Sequence, residues 1–307
     1  MRNINLTKEF KIKTIFITGS GGFLGSELVN GLSKYNYKIF CNDINFSYKI
    51  LKSKNIKKLK FNLFYSKIPI QLDEADIFIH NAAVTKSIHF DEPNKLKNFN
   101  IKLTKNALNL ARICNSKKFF LISSTSVYRN FKSQKYNERS STKGGDAYSK
   151  SKILSEKICR EFCKKYKIKL TILRIGNIYN GKEKKKWSRN NISLVQQWLN
   201  ASKKNVLLKT SSFLNLRDWT YSKDIPRLIN SIIKNNSNFK ILNLVSPYLI
   251  NDYNLMKKIC SNKKLLVSEN KLTINNAAVS IYNRRLKFND WTSPQRGINL
   301  IKSNEKN

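Results

Sequence analysis

A tyrosine and a lysine, Tyr148 and Lys152, lie four residues apart and would share one face of a helix. A free tyrosine has a pKa of about 10 and is a poor base at neutral pH, but a nearby ammonium group stabilises the phenolate. Such a pair could remove a proton from a hydroxyl group. The spacing alone also fits a surface tyrosine and lysine on an amphipathic helix.

A hydroxyl-rich segment lies upstream of this pair, at residues 123–128, directly after the apolar run at residues 118–122. A serine at the end of a strand could point into the same cleft as Tyr148. Its hydroxyl could then hydrogen-bond the oxygen that is being oxidised. The plainer interpretation is a polar strand end.

Three glycines, Gly19, Gly22 and Gly25, follow the apolar run at residues 13–18 and precede a helical pattern at residues 22–34. Glycines between a strand and a helix let the backbone approach a pyrophosphate at the helix N-terminus. The spacing is GxxGxxG, which on its own is a weak signal. Asp43 closes the second predicted strand, where a carboxylate can accept hydrogen bonds from ribose hydroxyls and repel a 2′-phosphate. The loop and Asp43 together favour NAD over NADP.

These residues require a framework of alternating strands and helices. Further strands are predicted at residues 38–41, 75–80, 118–123 and 169–174, and long helices at residues 96–114 and 148–166. The alternation predicts an α/β fold, a Rossmann-type doubly wound parallel sheet with a smaller C-terminal substrate-binding region. We expect the dinucleotide-binding domain to span residues 1–179 and the substrate-binding region residues 180–307. Helices are predicted near residues 193–202, 223–233 and 252–260, and a strand at 241–246 that could return to the main sheet.

The chain of 307 residues carries 59 Lys and Arg against 19 Asp and Glu, a formal net charge of +40. With 40% hydrophobic residues it can form a core, so a disordered basic tail is excluded. The lysines are scattered along the chain, which is typical of solvated surface rather than of a nucleic-acid site. The densest run, residues 182–186, is interpreted as a solvated loop. No specific nucleic-acid partner is expected.

Membrane and metal functions have little support in the sequence. No apolar run reaches 18 residues, and the first 13 residues lack the apolar stretch of a signal peptide, so we expect no membrane partner and a cytoplasmic location. There are two histidines and no CxxC motif, so neither a metal site nor a Ser-His-Asp hydrolase is expected.

The motifs occur in the order found in the NAD-dependent epimerase/dehydratase branch of the extended short-chain dehydrogenase/reductases, and from about residue 13 to about residue 298 the chain resembles that family. The matching motifs are the glycine loop at residues 18–25, Asp43, His80-Asn81-Ala82-Ala83, Asn100, Ser123-Ser124-Thr125-Ser126-Val127-Tyr128, Tyr148 with Lys152, and the segments 173–179 and 217–224. The ordered set is far more specific than any one motif.

The resemblance implies a role for each matching residue. Ser124, Tyr148 and Lys152 would be catalytic, and Asn177 and Arg217 would bind substrate, the arginine through a diphosphate. NAD would be bound by Gly19, Gly22, Phe23, Leu24, Gly25, Asp43, Ala82, Ala83, Asn100, Tyr148 and Lys152. The partner would be a nucleotide sugar. Relatives often dimerise through the two long helices, so a homodimer is expected.

The implied activity is epimerisation of a nucleotide sugar, at C4 through a transient 4-keto intermediate. The related 4,6-dehydratases have Asp-Glu where this chain has Thr125-Ser126, which argues against elimination of water. Two alternatives stay open: an NAD(P)H-dependent 4-ketoreductase and a non-catalytic RNA-binding relative. The segments 179–182 and 211–215 depart from the family pattern near the substrate, so the sugar and the nucleotide are left open.

Overall fold

The computed structural model describes residues 12–65, 73–85, 92–128, 135–269, 271, 277–286 and 288–304. In chain order the strands are β1 (Lys13–Thr18), β2 (Tyr37–Asp43), β3 (Ile56–Lys60), β4 (Ile77–His80), β5 (Lys118–Ser124), β6 (Lys169–Ile175), β7 (Ile178–Tyr179), β8 (Leu208–Thr210), β9 (Leu216–Arg217), β10 (Thr220–Tyr221), β11 (Ile241–Leu244), β12 (Ile250–Asn251) and β13 (Leu266–Ser268). The helices are α1 (Phe23–Leu32), α2 (Pro93–Ile113), α3 (Ala147–Lys165), α4 (Leu194–Lys203), α5 (Asp224–Lys234), α6 (Asp252–Ile259) and α7 (Pro294–Ser303).

Seven strands form one parallel sheet in the order β11-β6-β5-β4-β1-β2-β3. This confirms the predicted Rossmann-type, doubly wound fold. The edge strand β3 has no counterpart among the predicted elements. Its sequence, Ile-Lys-Lys-Leu-Lys, buries little beyond Leu59, as an edge strand allows, and therefore lacks the apolar run that marks the central strands.

Aromatic side chains at matching positions line up across the centre of the sheet. The register pairs Phe16 of β1 with Phe40, on β2, and with Phe78, on β4, while Phe78 pairs with Phe119 of β5. The Phe16 and Phe78 rings stack at 5.0 Å, and the Phe78 and Phe119 rings at 5.5 Å. A one-residue slip would turn each ring to the other face, so this row fixes the register that brings the strand ends together.

Helices cover both faces of the sheet. Apolar residues of α1 and α5 pack on one face, and those of α2 and α3 pack on the other. The start of α3 is set by a capping box, in which Asp146 Oδ1 accepts from Ser149 N (2.7 Å) and Ser149 Oγ accepts from Asp146 N (3.0 Å). This cap places Tyr148 in the first turn of the helix.

The two long helices α2 and α3 are those through which dimerisation is predicted. They expose Lys105, Lys150 and Lys157, so a second copy docked there would bring like charges together. The homodimer stays a prediction. Within the described residues, no helix is long and apolar enough to cross a membrane.

The C-terminal half is joined closely to the sheet. Strand β11 pairs with β6, and the short strand β10 pairs with β7 beyond the end of β6. A separate apolar cluster, which includes Trp198 and Trp219, lies among the C-terminal helices. Strand β11 belongs to the main sheet and not to the appended region. The division of the chain into domains at residue 179 stays a prediction.

A buried ion pair lies beneath α3. Arg174 of β6 donates to the two carboxylate oxygens of Glu156 through Nε (2.8 Å) and Nη2 (2.6 Å). Ser123 Oγ and Arg160 Nη2 also donate to Glu156, at 2.7 and 3.1 Å, and Arg174 Nη1 donates to the hydroxyl of Tyr128 at 2.7 Å. The pair is therefore well supplied with partners and clamps the helix to β5 and β6.

We predict that Arg174→Met lowers the free energy of unfolding by about 3–5 kcal/mol, because it leaves the Glu156 carboxylate buried without its main counter-ion. Arg160→Met is the matched control, since Arg160 binds the same carboxylate from a side chain that is 47% exposed, and it should cost less than about 1 kcal/mol. Urea unfolding measures both. Equal losses in the two variants would contradict the assignment of Arg174 as the main partner.

Candidate active site

A cavity of about 740 Å³ opens at the carboxyl ends of β1, β2, β4, β5 and β6, the edge at which parallel sheets bind ligands. Residues from the sheet and from the C-terminal half line it together. Of the predicted site residues it brings together Gly19, Gly22, Phe23, Leu24, Asp43, Ala82, Ala83, Ser124, Tyr148, Lys152, Asn177 and Arg217. Gly25 and Asn100 are not among the lining residues.

The glycine loop packs against its neighbours without space for side chains. Gly19 has a φ of +65°, and a Cβ there would lie 2.6 Å from the backbone of Ala82. A Cβ on Gly25 would lie 2.0 Å from the carbonyl oxygen of Gly19, so Gly25 allows α1 to begin directly behind the loop. The result is a bare backbone cradle at a helix N-terminus, which fits the pyrophosphate of a dinucleotide.

Asp43 lies at the end of β2, beside this cradle. Its Oδ2 accepts a hydrogen bond from Gly21 N (2.9 Å) and its Oδ1 one from Asn45 N (3.2 Å). Burial raises the pKa of the Asp43 carboxyl, although these N–H groups act against the shift. The carboxylate thus holds the glycine loop and lines the cavity where a ribose would lie.

Asn100 lies behind the cavity wall and is predicted from the resemblance to bind the cofactor. Its side chain accepts from Val84 N (2.8 Å) and donates to Val84 O (2.9 Å) and Ser151 Oγ (3.1 Å). Val84 lines the cavity, and Ser151 lies on α3 next to Lys152. Asn100 therefore shapes the wall through Val84 rather than facing the cavity itself.

His80 also lies behind the wall. Its ring nitrogens lie 2.9 Å from Thr18 Oγ1 and 3.3 Å from Thr104 Oγ1, inside the protein. Burial, with a smaller contribution from the charge of Lys152, lowers the pKa of His80 to about 3. The ring is neutral at physiological pH and links β1, β4 and α2 behind the residues that line the cavity.

The three predicted catalytic residues all line the cavity. Lys152 is 5% exposed, and its Nζ donates to Ile122 O (2.8 Å) and lies 5.7 Å from the centre of the Tyr148 ring. Burial lowers the pKa of Lys152 to about 8, although the nearby Glu156 raises it. Ser124, at the end of β5, accepts from Ser126 N (3.1 Å). A half-buried tyrosine, an ammonium and a hydroxyl thus share one wall.

Asn177 and Arg217, the predicted substrate residues, also line the cavity. The side-chain nitrogen and the backbone N–H of Asn177 donate to the buried Asp218, whose Oδ2 accepts from Ala278 N at 3.2 Å. Arg217 is held by Asp252, with Nε–Oδ1 at 2.8 Å and Nη2–Oδ2 at 3.1 Å. The guanidinium Nη1 takes no part in that pair.

Some lining residues were not found by sequence reasoning. Lys184, Lys186 and Arg189 line the cavity from the segment after β7, which contains the basic run interpreted as a solvated loop. Lys184 is exposed, but Lys186 is only partly exposed and donates to Gly21 O (3.0 Å). The charge run was the available signal, but it does not indicate which lysine turns inward.

We predict that Gly25→Ala abolishes measurable NAD binding, because the added Cβ meets the backbone carbonyl of Gly19, which cannot move without breaking the cradle. Gly145→Ala is the control, since a Cβ there meets nothing within 4 Å. Calorimetric titration with NAD and thermal unfolding test both. If Gly25→Ala kept the affinity of the parent protein, the loop would not be the pyrophosphate cradle.

Comparisons with known proteins agree with this geometry. The NAD dependent epimerase/dehydratase family matches residues 15–244. A dTDP-D-glucose 4,6-dehydratase from Dictyostelium discoideum is 28% identical over 83% of this chain and 63% of its own length, so the chain spans less than two thirds of that relative. An ADP-L-glycero-D-manno-heptose-6-epimerase from Brachyspira hyodysenteriae is 26% identical over 75% of this chain and 74% of its own length.

Solved structures share the fold. A UDP-glucose 4-epimerase from Thermotoga maritima has a TM-score of 0.77 at 18% identity, over 95% of this chain and 99% of that one. A UDP-N-acetylglucosamine 4-epimerase from Methanobrevibacter ruminantium has a TM-score of 0.79, also at 18% identity, over 96% and 99%. The family match covers most of the chain and includes the glycine loop, Ser124, Tyr148 and Lys152. The chain therefore belongs to the NAD-dependent epimerase/dehydratase family, and NAD is its cofactor.

Proposed function

We propose that the protein is an NAD-dependent epimerase of a nucleotide sugar, acting at C4 of the hexose through a transient 4-keto sugar. One observation carries the proposal. Ser124, Tyr148 and Lys152 line the same cavity as the glycine loop and Arg217. A cofactor, a proton-transfer group and a diphosphate partner are thus available to one bound sugar.

The roles follow from the chemistry of the side chains. Tyr148, as the phenolate, removes the proton of the sugar 4-hydroxyl, and Lys152 stabilises that phenolate with its ammonium charge. Ser124 donates a hydrogen bond to the same sugar oxygen. The glycine loop and Asp43 would hold NAD, which would supply the hydride chemistry, as acceptor from C4 and as donor to the other face of the turned keto sugar. Tyr148 then gives the proton back to the oxygen, so protons and hydride balance over the cycle.

Lys152 suits this role because burial has brought its pKa to about 8. It is largely protonated at neutral pH, so a positive charge lies beside Tyr148 when the proton is removed. It loses that charge as the pH rises above 8. The bond from Nζ to the Ile122 carbonyl fixes the position of the charge without neutralising it.

Elimination of water has less support, although one relative is a 4,6-dehydratase. Elimination needs an acid and a base near C5 and C6. Thr125 and Ser126 follow Ser124 here, and the carboxylates among the described residues that line the cavity are Asp43 and Asp146. Asp43 is held at the glycine loop, and Asp146 caps α3.

A 4-ketoreductase would use the same residues, but it would consume one NADH for each sugar. A non-catalytic RNA-binding relative would have no use for Ser124, Tyr148 and Lys152 in one cavity. A reductase differs from an epimerase in its net change of NADH, and an RNA-binding relative differs in showing no turnover.

The test is to incubate the protein with UDP-, dTDP-, ADP- and GDP-hexoses and with less NAD than sugar. We expect NMR to show the C4 epimer of at least one substrate, with no net change in NADH absorbance. Net formation of NADH together with a 4-keto sugar would assign the reductase, running in reverse, instead. Loss of a water molecule from the sugar would assign a dehydratase.

In the same assay, Tyr148→Phe should lower turnover by about 10²–10⁴-fold while NAD still binds, because only the ionisable oxygen is removed. Tyr166→Phe is the matched control, since Tyr166 follows the last turn of α3 and is exposed. Near-normal turnover in Tyr148→Phe would remove this residue from the proposed chemistry.

We further predict that Arg217→Ala weakens nucleotide-sugar binding about 10- to 100-fold and leaves NAD binding nearly unchanged. The reason is the loss of a charge-assisted bond to the diphosphate. Arg227→Ala is the control, because Arg227 also pairs with a buried aspartate, Asp224, but does not line the cavity. Calorimetry with UDP and with NAD separates the two sites, and the opposite pattern would place Arg217 at the cofactor.

A further inference from the structure

The segment at residues 182–191, which we call the basic hairpin, leaves β7 and returns to α4. Its base is fixed by Glu183, which is buried and accepts hydrogen bonds from Ser193 N (3.0 Å) and from Arg189 Nη2 (2.8 Å). Ser193 is the N-cap of α4, with its hydroxyl accepting from Gln196 N. The hairpin therefore stands on a rigid base in the C-terminal half.

The tip of the hairpin contacts the other side of the cavity. The backbone groups of Lys186 and Arg189 exchange two hydrogen bonds, both 3.0 Å, which close a tight turn. At that turn Ser188 O accepts from Thr85 N (2.9 Å), beyond the end of β4, and the Trp187 ring meets the edge of Phe99 on α2. The hairpin thus bridges the mouth of the cavity.

Its side chains lie against the glycine loop. Lys186 Nζ donates to Gly21 O (3.0 Å), lies 4.3 Å above the Tyr48 ring and is attracted by Asp43. Lys184 N donates to Tyr48 Oη at 2.9 Å. These contacts are all at the end of the cavity where the glycine loop and Asp43 would hold the adenosine half of a dinucleotide.

The charge distribution agrees with this placement. The cationic residues that line the described part of the cavity are Lys152, Lys184, Lys186, Arg189 and Arg217. Lys152 lies beside Tyr148, Arg217 is paired with Asp252, and Arg189 is paired with the buried Glu183. The glycine loop offers backbone N–H groups but no positive side chain, so the positive side chains near it come from the basic hairpin.

We propose that the basic hairpin is a clamp for the bound dinucleotide, in which Lys186 pairs with its phosphates and the turn at Ser188 closes over it. The glycine loop binds the pyrophosphate from below through its backbone, and the hairpin binds it from above through charge. NAD can leave only when the contacts of the hairpin with Gly21, Tyr48 and Thr85 are broken. Release of NAD is therefore slow.

Slow release has a consequence that rests on the proposed function. An epimerase returns the hydride to the same sugar, so its cofactor must stay bound between the two hydride transfers of a cycle. A reductase must exchange its cofactor after each turnover, and a clamp would slow it. The clamp itself is independent of the reaction, because it concerns binding of the dinucleotide without sugar.

The experiment loads the protein with NADH, mixes it rapidly with excess NAD and follows the loss of bound-NADH fluorescence, with no sugar present. Lys186→Ala should release NADH about 10- to 100-fold faster, the usual effect of removing one charge-assisted hydrogen bond. Lys185→Ala is the matched control, since Lys185 is the adjacent exposed lysine, does not line the cavity and should release NADH at the parent rate. Lys186→Met, which keeps the apolar stem, should behave as Lys186→Ala does and replaces it if the alanine variant does not fold.

Equal release rates in the Lys185 and Lys186 variants would overturn the clamp. So would a Lys186 variant that binds UDP more weakly but keeps the parent release rate, because the hairpin would then serve the nucleotide sugar. If the parent protein showed no epimerase activity, faster release of NADH from the Lys186 variants would still support the clamp. If the parent protein epimerises sugars but releases NADH at the same rate as the Lys186 variants, the clamp is wrong and the proposed function stands.

Discussion

The buried ion pair of Glu156 and Arg174 is the constraint on which the geometry of the site depends. It fixes α3 against β5 and β6 one helical turn beyond Lys152, and Ser123 joins it from the strand end next to Ser124. Two charges inside a protein are costly unless their hydrogen-bonding capacity is filled, and here Ser123, Arg160 and Tyr128 fill it. Sliding or turning of α3 would break several of these bonds together, so Ser124 and Lys152 keep one relative position.

The same network joins the two halves of the molecule. Tyr128, which accepts from Arg174, donates to Asn243 Oδ1 (2.9 Å) on β11, and Asn243 N donates to the buried Glu138 (2.9 Å). Strand β11 lies beside β6, whose end leads to Asn177. A substrate held by the C-terminal half, as we propose, would thereby keep a fixed position relative to the cofactor half. This is the requirement for hydride transfer, where small displacements cost much rate.

The parts that the sequence predicted were those with a local signature. The central strands are continuous apolar runs, the glycine loop stands between a strand and a helix, and Tyr148 with Lys152 has helical spacing. Strand β3 was missed because three of its five residues are lysines, a composition that resembles a loop. The partner of Arg217 was missed because Asp252 lies 35 residues away, and the contact of Lys186 with Gly21 spans 165 residues. Such contacts depend on the assembled fold and leave no pattern in neighbouring residues.

The net charge of +40 includes both exposed surface lysines and a few cations held at fixed positions in the cavity. Most lysines among the described residues are exposed, and together they create a positive field that would attract both a dinucleotide and a nucleotide sugar from solution. That field is unselective and weakens as salt rises. Selectivity needs cations at fixed positions in a low-dielectric site, which Lys152, Arg217 and Lys186 have because each is held by a backbone carbonyl or a carboxylate. In the proposed function, the surface charge would serve the encounter with anionic ligands, whereas the few anchored cations would determine where each anion binds.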